Sequence, residues 1–206
     1  MAWTYEQKFN TLTDGDLDGQ DNWVLAGGSI TVQTTTKYEG AKAVQSAGGA
    51  ASDDYSRTIT AISDGLVYVA MRVNGTVPAG REPYFMLYSD TTRVIMIRFD
   101  SNGYIRYYTG GAFVDYSTYT TNQWYVLAIE FDDTNQPDKF RMKVHDGTSW
   151  GSWTSWVATQ NAYSTINKIR IDHEGGSGIN AFWDTITPTD PTAPPGPPPM
   201  SKGMIF

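Results

Sequence analysis

Three aspartates stand at alternate positions near the start of the chain and could bind a cation. They form the run D-G-D-L-D-G from Asp14 to Gly19. Alternating carboxylates can wrap oxygen ligands around Ca²⁺, and glycine allows the sharp turn that such a loop needs. The twelfth position of an EF-hand loop would carry a glutamate, but here it is Leu25. Because Asp and Gly also favour plain turns, Asp14, Asp16 and Asp18 are candidate calcium ligands or ordinary turn residues.

Two pairs of carboxylates have the spacing of an acid and a base on one side of a strand. They are Glu130 with Asp132, and Asp172 with Glu174. Alternate residues of a strand share a face, and two facing carboxylates can serve as nucleophile and acid/base in glycoside cleavage. Each pair lies at the predicted end of a strand beside a turn, which favours solvated strand ends. We therefore assign no catalytic residue.

Tyrosine, methionine and arginine recur at alternate positions, opposite to the apolar residues of the same segments. Residues of these types are enriched at interfaces, and exposed apolar patches usually mark a binding surface. The positions are Tyr68, Ala70 and Arg72; Tyr84, Met86 and Tyr88; Val94, Met96 and Arg98; and Tyr104, Arg106 and Tyr108. If they are neighbours, they form one exposed surface. From them we take Arg72, Tyr84, Tyr88, Arg98 and Tyr108 as candidate ligand-binding residues.

Three tryptophans at a spacing of three are a second candidate for ligand binding. They are Trp150, Trp153 and Trp156. In a hairpin, this spacing cannot place all three indoles on one face. We expect one or two of them to cap the core and another to pack on a loop. Trp153 is retained as a candidate ligand-binding residue.

The elements that must position these residues are strands. Apolar residues alternate with other residues in segment after segment, as in Lys139 to Val144, where Phe140, Met142 and Val144 are predicted to face inward. A period of two is the pattern of a strand with one core face. Pairs such as Asn102-Gly103 and Gly110-Gly111 favour tight hairpins. About a dozen short strands separated by turns indicate an all-β sandwich or barrel.

The length, net charge and composition of the chain agree with one domain and restrict its partners. A β-sandwich of 206 residues fits a single domain with a tail. The net charge is −7 and no run of Lys or Arg occurs, so nucleic acid and anionic membranes are poor partners. Cysteine is absent, and with it disulfides and thiol chemistry. The first 30 residues lack the pattern of a signal peptide, so we expect the protein to be made in a cytoplasm.

A proline-rich arm follows the predicted sandwich. We place the sandwich at residues 1–187 and the arm at 188–206. Most of the 10 prolines lie between Pro188 and Pro199, which predicts an extended polyproline-II segment. Prolines reduce the entropy lost when such a segment docks, and apolar residues follow them. The predicted docking residues are Pro197, Pro198, Pro199, Met200, Met204, Ile205 and Phe206.

Four segments resemble concanavalin A-like (LamG-like) jelly-roll domains. The run from Phe9 to Trp23 is similar to their opening strand and glycine-rich turn, and Gly40 to Val44 is similar to their next strand. Asn122 to Asp132 resembles a strand of their back sheet, and Phe182 to Ile186 resembles their closing strand. In order and spacing these segments cover residues 5–187. The resemblance implies a two-sheet antiparallel jelly-roll sandwich.

The resemblance also implies sites. Glucanases of this superfamily carry Glu-x-Asp-x-Glu on one strand, and here each carboxylate pair lacks the third acid. Members often hold a structural calcium ion between the early strand and the closing aspartate, which implies the Gly40 carbonyl and Asp184. No cofactor is required otherwise. Sandwiches of this type often bind glycans on one sheet. Small domains of this type also occur in structural proteins of tailed phages, although fold does not fix function.

Three functions are therefore compared. The first is a non-enzymatic virion protein (a capsid decoration, head-fibre or tail component), located in the virion and docked through its arm onto neighbouring subunits, with a homo-oligomer expected. The second is a carbohydrate-binding module or adhesin with a glycan partner. The third is a polysaccharide hydrolase or lyase, which the missing third carboxylate disfavours. We expect no enzymatic activity.

Overall fold

Strands account for almost all regular structure in the protein. The computed structural model describes residues 3–49, 51–176 and 178–192. Within them, the only helix is a single turn of 3₁₀ helix at Gln20–Asn22. The strands are β1 (Gly15–Asp16), β2 (Trp23–Gly27), β3 (Ile30–Gln33), β4 (Ala43–Ser46), β5 (Asp53–Ile62), β6 (Asp64–Val73), β7 (Pro83–Ser89), β8 (Thr92–Phe99), β9 (Tyr104–Thr109), β10 (Ala112–Thr118), β11 (Tyr125–Asp132), β12 (Lys139–His145), β13 (Val157–Ala158), β14 (Ile166–His173) and β15 (Ala181–Thr187).

The strands form two antiparallel sheets. The eight-stranded sheet has the order β1-β3-β4-β15-β6-β11-β12-β13, and the seven-stranded sheet has the order β10-β9-β8-β7-β14-β5-β2. Non-consecutive neighbours such as β15 and β6, or β7 and β14, show that the chain crosses repeatedly between the sheets. The predicted all-β, two-sheet sandwich is confirmed. Below, the outer face of a sheet is the face directed away from the other sheet.

Alternation along the strands explains which side chains form the core. In β12, Phe140, Met142 and Val144 are at most 4% exposed, as predicted, while Lys139 on the same strand is exposed. β6 follows the same rule with Val67, Val69, Met71 and Val73. A period of two places every second side chain on one face, so both sheets present apolar faces to the same layer.

The core between the sheets contains large aromatic side chains. Trp23, Tyr55, Phe85 and Trp183 are fully buried. The Trp183 indole N–H also donates a hydrogen bond of 3.1 Å to the Tyr84 carbonyl, which links β15 of one sheet to β7 of the other. This bond satisfies a buried donor, which would otherwise cost free energy.

The turn chemistry predicted for the β9–β10 hairpin is also confirmed. Gly110 and Gly111 have φ angles of 58° and 86°. Two successive residues with positive φ match a type I′ turn, which suits the twist of a two-residue hairpin. The hairpin brings Phe113 of β10 opposite Tyr108 of β9, and both residues become part of the surface described below.

The described part of the chain ends shortly after β15. That strand stops at Thr187, where the sequence places the end of the sandwich, and residues 188–192 continue from it. The predicted docking residues, Pro197 to Met200 and Met204 to Phe206, lie outside the described residues. No helix in the described ranges has the length and apolar character needed to cross a membrane.

Candidate functional site

The candidate site lies on the outer face of the seven-stranded sheet. Its floor is formed by Tyr84, Met86 and Tyr88 of β7 together with Met96 of β8, and these residues cluster apart from the main core. Tyr108 and Phe113 pack against this cluster. The sheet therefore carries an aromatic and methionine-rich layer on the side where an ordinary solvated sheet carries polar residues.

Charged side chains cover the floor and bury most of it. Arg98 places its guanidinium carbon 3.7 Å from the centre of the Phe113 ring and donates to the Tyr84 hydroxyl at 3.3 Å. Arg170 donates to the Tyr88 hydroxyl at 3.3 Å. As a result, Tyr84 and Tyr88 are each only 8% exposed. The expectation of a plainly exposed surface was wrong at these residues, because arginines from neighbouring strands lie over the rings.

A depression of about 250 Å³ opens among these groups. It is lined by Tyr84, Met86, Arg93, Met96, Tyr108, Phe113, Gln160, Asp172 and Glu174. Arg93 donates a 2.7 Å hydrogen bond to Gln160, which fixes one wall. Five of the nine lining residues are aromatic or methionine and four are charged or polar, so the depression offers both apolar contact and hydrogen-bonding groups.

The carboxylates beside the depression have raised pKa values. Burial raises the pKa of Asp172 to about 7, the nearby Asp54 carboxylate adds to this rise, and Arg170 opposes it. Burial, and then the neighbouring Glu82, also raise the pKa of Glu174. Perturbed titrating groups in a depression are typical of functional sites, although structural ion pairs also perturb pKa values.

Several polar atoms on this face have no partner within the described part of the chain. They are Oδ1 of Asp54, Oδ1 of Asp172, Nε of Arg98 and Nε of Arg170. Their other atoms are engaged: Arg170 bonds Asp54 and lies 3.6 Å from the second oxygen of Asp172. Leaving a buried polar atom unpaired costs roughly 1–3 kcal/mol, so this face has hydrogen-bonding capacity available to a ligand or to water.

Four of the predicted ligand-binding residues come together on this sheet, and two do not. Tyr84, Tyr88, Arg98 and Tyr108 share the outer face just described. Arg72 instead lies on β6 of the eight-stranded sheet, where it donates to Asn122 at 3.1 Å. Trp153 packs on that same sheet. The single surface proposed from the sequence is therefore split, because alternation identifies the outward face of a strand but not the sheet to which the strand belongs.

One residue of that predicted surface was placed wrongly, and one residue that the prediction left out belongs to the site. Val94 was expected to face outward, but it lies in the core, because the pairing of β7 with β8 shifts between Leu87 and Tyr88. Asp172, which the sequence suggested to be a solvated strand end, has a side chain that is only 16% exposed. The only sign in the sequence that Asp172 belongs to this face was its alternation with Arg170 and Glu174.

The three tryptophans of 150–156 lie against the same two basic side chains, contrary to the expectation that they cannot share a face. Lys143 Nζ lies 4.4 Å from the Trp150 ring and 4.9 Å from the Trp153 ring. Arg141 lies 4.8 Å and 5.0 Å from the rings of Trp153 and Trp156. The segment between them is not a regular strand, so the two-residue period does not apply to it.

The other carboxylate pair is engaged in structural bonds. Glu130 accepts a 2.6 Å hydrogen bond from Arg141, and Asp132 accepts from the amide and side chain of Asn135. Both residues line a depression of about 420 Å³ beside Trp3. That depression is larger, but its carboxylates already have partners, so we favour the site on the seven-stranded sheet.

The three aspartates of the predicted calcium loop contact three different partners. Asp14 pairs with Lys42 at 2.9 Å, Asp16 accepts from the Tyr55 hydroxyl, and Asp18 accepts from the Leu25 amide at 2.9 Å. Among the described residues, no three His, Cys, Asp or Glu side chains are grouped so that they could hold a metal ion. This arrangement fits an ordered turn rather than a calcium loop.

The second implied calcium site is also occupied by protein donors. Asp184 Oδ2 accepts hydrogen bonds from the amides of Tyr38 and Glu39 at 2.8 Å and 3.2 Å, and Oδ1 accepts from the Thr185 amide. Burial raises the pKa of Asp184 to about 7, although these amides favour its charged form. The chain around Gly40 is held by Asn10, which accepts from the amides of residues 41 and 42. Asp184 therefore fixes this turn directly, and the residues do not fit a calcium ion.

A buried Ser, His and Asp meet between the sheets but do not form a catalytic triad. The Ser46 hydroxyl lies 2.7 Å from His173 Nδ1 and also bonds Asp53. In a triad the histidine lies between serine and aspartate, whereas here the serine does. His173 is fully buried, and burial lowers its pKa to about 4. The group joins β4 of one sheet to β5 and β14 of the other.

Comparisons with known proteins support the fold. No protein-family model and no curated protein matches the sequence. Among solved structures, a sialidase matches with a TM-score of 0.67 at 10% identity, covering 91% of this chain but only 18% of the sialidase. The exoplasmic/lumenal domain of VIP36 in its Ca²⁺/Man3GlcNAc-bound form matches with 0.55 at 11% identity, covering 93% of both chains.

An enzyme of the same architecture also matches. The alginate lyase Aly36B has a TM-score of 0.54 at 9% identity, covering 88% of this chain and 94% of that protein. At such identities the likeness concerns the fold alone. Together with the two-sheet topology, these matches support an antiparallel two-sheet sandwich, the fold that the sequence resemblance implied.

Proposed function

We propose that this protein is a non-enzymatic, lectin-like domain that binds a glycan on the outer face of its seven-stranded sheet. The observation that carries the proposal is the depression on that face, where aromatic rings stand beside polar atoms that have no hydrogen-bond partner among the described residues. Glycan-binding and glycan-cleaving proteins among the structural neighbours support the proposal. Calcium takes no part in it.

The lining residues supply the two kinds of contact that a sugar needs. The apolar C–H face of a sugar ring can pack on Tyr108 and Phe113, which meet edge to face at 5.2 Å. Aromatic side chains contribute large contact areas. Sugar hydroxyls can hydrogen-bond Gln160 and Glu174 of the lining, and also Asp172, whose Oδ1 has no partner among the described residues. Pairing such atoms removes a desolvation cost and gives the site its selectivity.

A glycan array, followed by affinity measurements on its best ligand, tests the proposal. The wild-type protein should bind at least one glycan above background. Tyr108→Ala should weaken binding by about tenfold or more, equivalent to about 1.4 kcal/mol. Trp153→Ala is the matched control, because it removes an aromatic ring from the opposite sheet and should leave binding unchanged.

Two results would contradict the proposal. One is an array without any signal above background. The other is a glycan whose binding is lost in Trp153→Ala and kept in Tyr108→Ala, since this would place recognition on the eight-stranded sheet.

Cleavage of a polysaccharide at the same face is a second candidate. The observation that favours it is the raised pKa of Asp172, about 7, and of Glu174, which directly follows β14, because a carboxylic acid that stays protonated near neutral pH can act as a general acid. Release of reducing ends from mixed glycans, lost in both Asp172→Asn and Glu174→Gln, would establish this activity. Release that persists in both variants would exclude these residues as catalysts.

The virion role stays a prediction from the sequence. Its predicted docking residues lie outside the described part of the chain, and the homo-oligomer also stays a prediction. Deletion of residues 193–206 leaves every described element in place, so assembly that continues without them would contradict docking through the arm.

A further inference from the structure

The eight-stranded sheet carries a second aromatic surface, independent of the proposed glycan site. On its outer face, Tyr68 and Ala70 of β6 lie opposite Ala128 and Val126 of β11. These four residues are buried and form their own cluster. We call this surface the aromatic face, including the partly buried residues that pack on it, which are Tyr38, Leu66, Trp124, Trp150 and Trp153.

Rings stand on both sides of the small residues at its centre. Trp124 lies 5.9 Å from Tyr38 and 6.3 Å from Phe182. On the other side, Trp150 lies 5.9 Å from Tyr68, and Lys143 continues the row to Trp153. Between these rings, Ala70 and Ala128 are small and fully buried.

The described chain ends on this surface. The Trp150 indole N–H donates to Asp190 Oδ2 at 3.2 Å and to the Thr192 hydroxyl at 3.0 Å. Asp190 also lies close enough to Tyr38 and Tyr68 to add to the rise that burial causes in their pKa values. Asp190 and Thr192 therefore lie on the aromatic face, beside Trp150.

One donor on this surface has no partner. The Trp124 indole N–H is buried, and no described residue accepts a hydrogen bond from it. The Trp150 indole, by contrast, already binds the chain. A free indole N–H between aromatic rings suits a backbone carbonyl of a polyproline-II segment, since the carbonyls of that conformation have no internal hydrogen bonds.

The next residues of the chain have the matching chemistry. After Thr192 and one alanine, Ala193, come Pro194, Pro195 and Pro197 to Pro199. Proline-rich segments dock in aromatic-lined grooves because their extended conformation is preformed. We propose that the aromatic face binds the chain's own residues 193–199, with a backbone carbonyl accepting from Trp124.

Residues 193–199 are covalently attached to Thr192, which lies on the aromatic face. This attachment favours the chain's own segment as the occupant over the same segment of a second copy. A polyproline-II segment advances about 3.1 Å per residue, so residues 193–199 can extend about 22 Å from Thr192. A short tether gives an effective concentration on the order of millimolar. Docking within one chain is therefore favoured over docking between two chains in dilute solution.

Tryptophan indole NMR of the full chain tests the docking. Replacing Pro197, Pro198 and Pro199 together with serine should shift the Trp124 indole signal, equally at all protein concentrations. Trp23 and Trp183 are fully buried in the core, so their indole signals should stay in place. An unmoved Trp124 signal would overturn the proposal. A shift confined to high concentration would also overturn it, in favour of a second copy.

Trypsin provides an independent measurement. Lys202 is the only basic residue after position 192, so loss of the last four residues reports cleavage there. Trp124→Phe keeps a ring but removes the indole N–H, and it should increase the cleavage rate at Lys202 several-fold. Tyr108→Phe, on the opposite sheet, should not change it. Equal rates in the wild type and Trp124→Phe would contradict a bond from Trp124.

Discussion

The charge of Asp172 links the stability of the protein to its proposed site. Its carboxyl group is shared between the depression and Arg170, and burial raises its pKa from 3.8 to about 7. Between these two pH values the folded state binds a proton that the unfolded state has released. Stability from this group is therefore full below pH 4 and falls as the pH rises through 7.

Asp172→Asn should remove this part of the pH dependence. The free energy of unfolding of the wild type should fall more between pH 5 and pH 8 than that of the variant. The upper limit is about 3 kcal/mol, because only the roughly two pH units between 5 and the raised pKa of about 7 lie in this interval. Asp184, which also has a raised pKa, titrates in both proteins and cancels in the comparison. Urea unfolding at the two pH values measures the difference, and parallel pH profiles would contradict the raised pKa.

For single residues, the sequence predicted which residue types lie on this face but not which side chains surround them. Asp172 and Glu174, which the sequence paired by their spacing, line the same depression, although β14 ends at His173 between them. The burial of Asp172 depends on Asp54 and Tyr84, which stand opposite it on the two neighbouring strands. Those partners are distant in the sequence, so no local pattern could reveal them.

Turns between the sheets are the elements on which the sandwich depends most. The chain passes from β2 of the seven-stranded sheet to β3 of the eight-stranded sheet through Gly28, which has a φ of 69°. A side-chain carbon at this position would overlap Asp53 and the Ser52 carbonyl. Asp53 itself holds the Ser29 amide at 2.8 Å and bonds Ser46.

Gly28→Ala should therefore destabilise the protein strongly. We expect a loss above about 2 kcal/mol, because the steric overlap adds to the roughly 1–2 kcal/mol cost of positive φ. Gly110→Ala is the matched control: it has a φ of 58° but open space around it, so only the smaller cost applies. Denaturant midpoints measure both, and equal losses would show that the contact with Asp53 does not matter.

Predictions about single strands were correct where the residues of one strand alone determine which side chains are buried. The inward faces of β6 and β12 follow from a period of two. That period breaks at Val94, where the pairing of β7 and β8 shifts, and in the irregular segment before Trp156. Polyproline-II backbone repeats every three residues, so it can place every third side chain on one side. A prediction based on strands alone does not consider this conformation.

At the scale of the whole molecule, the assignment of strands to sheets decides which residues share a surface. Arg72 and Arg98 both face outward, but they lie on opposite sides of the sandwich because β6 and β8 belong to different sheets. Alternation contains no information on this, since strand neighbours such as β15 and β6 are separated by more than a hundred residues.

Calcium should not stabilise the folded protein. Asp184 already binds three amides, and Asp14, Asp16 and Asp18 have separate partners. A ligand that binds only the folded state raises the melting temperature. We therefore expect the same Tm in EDTA and in excess Ca²⁺, measured by calorimetry, and a clear rise with Ca²⁺ would show that a site was missed.

Methionine methyl NMR tests the central claim, glycan binding on the seven-stranded sheet, most directly. Met86 and Met96 line the depression, whereas Met71 and Met142 lie in the core between the sheets. Titration with the best glycan from the array should shift the methyl signals of Met86 and Met96 in a saturable manner and leave those of Met71 and Met142 in place. Saturable binding that leaves Met86 and Met96 unshifted would contradict the assignment of the site.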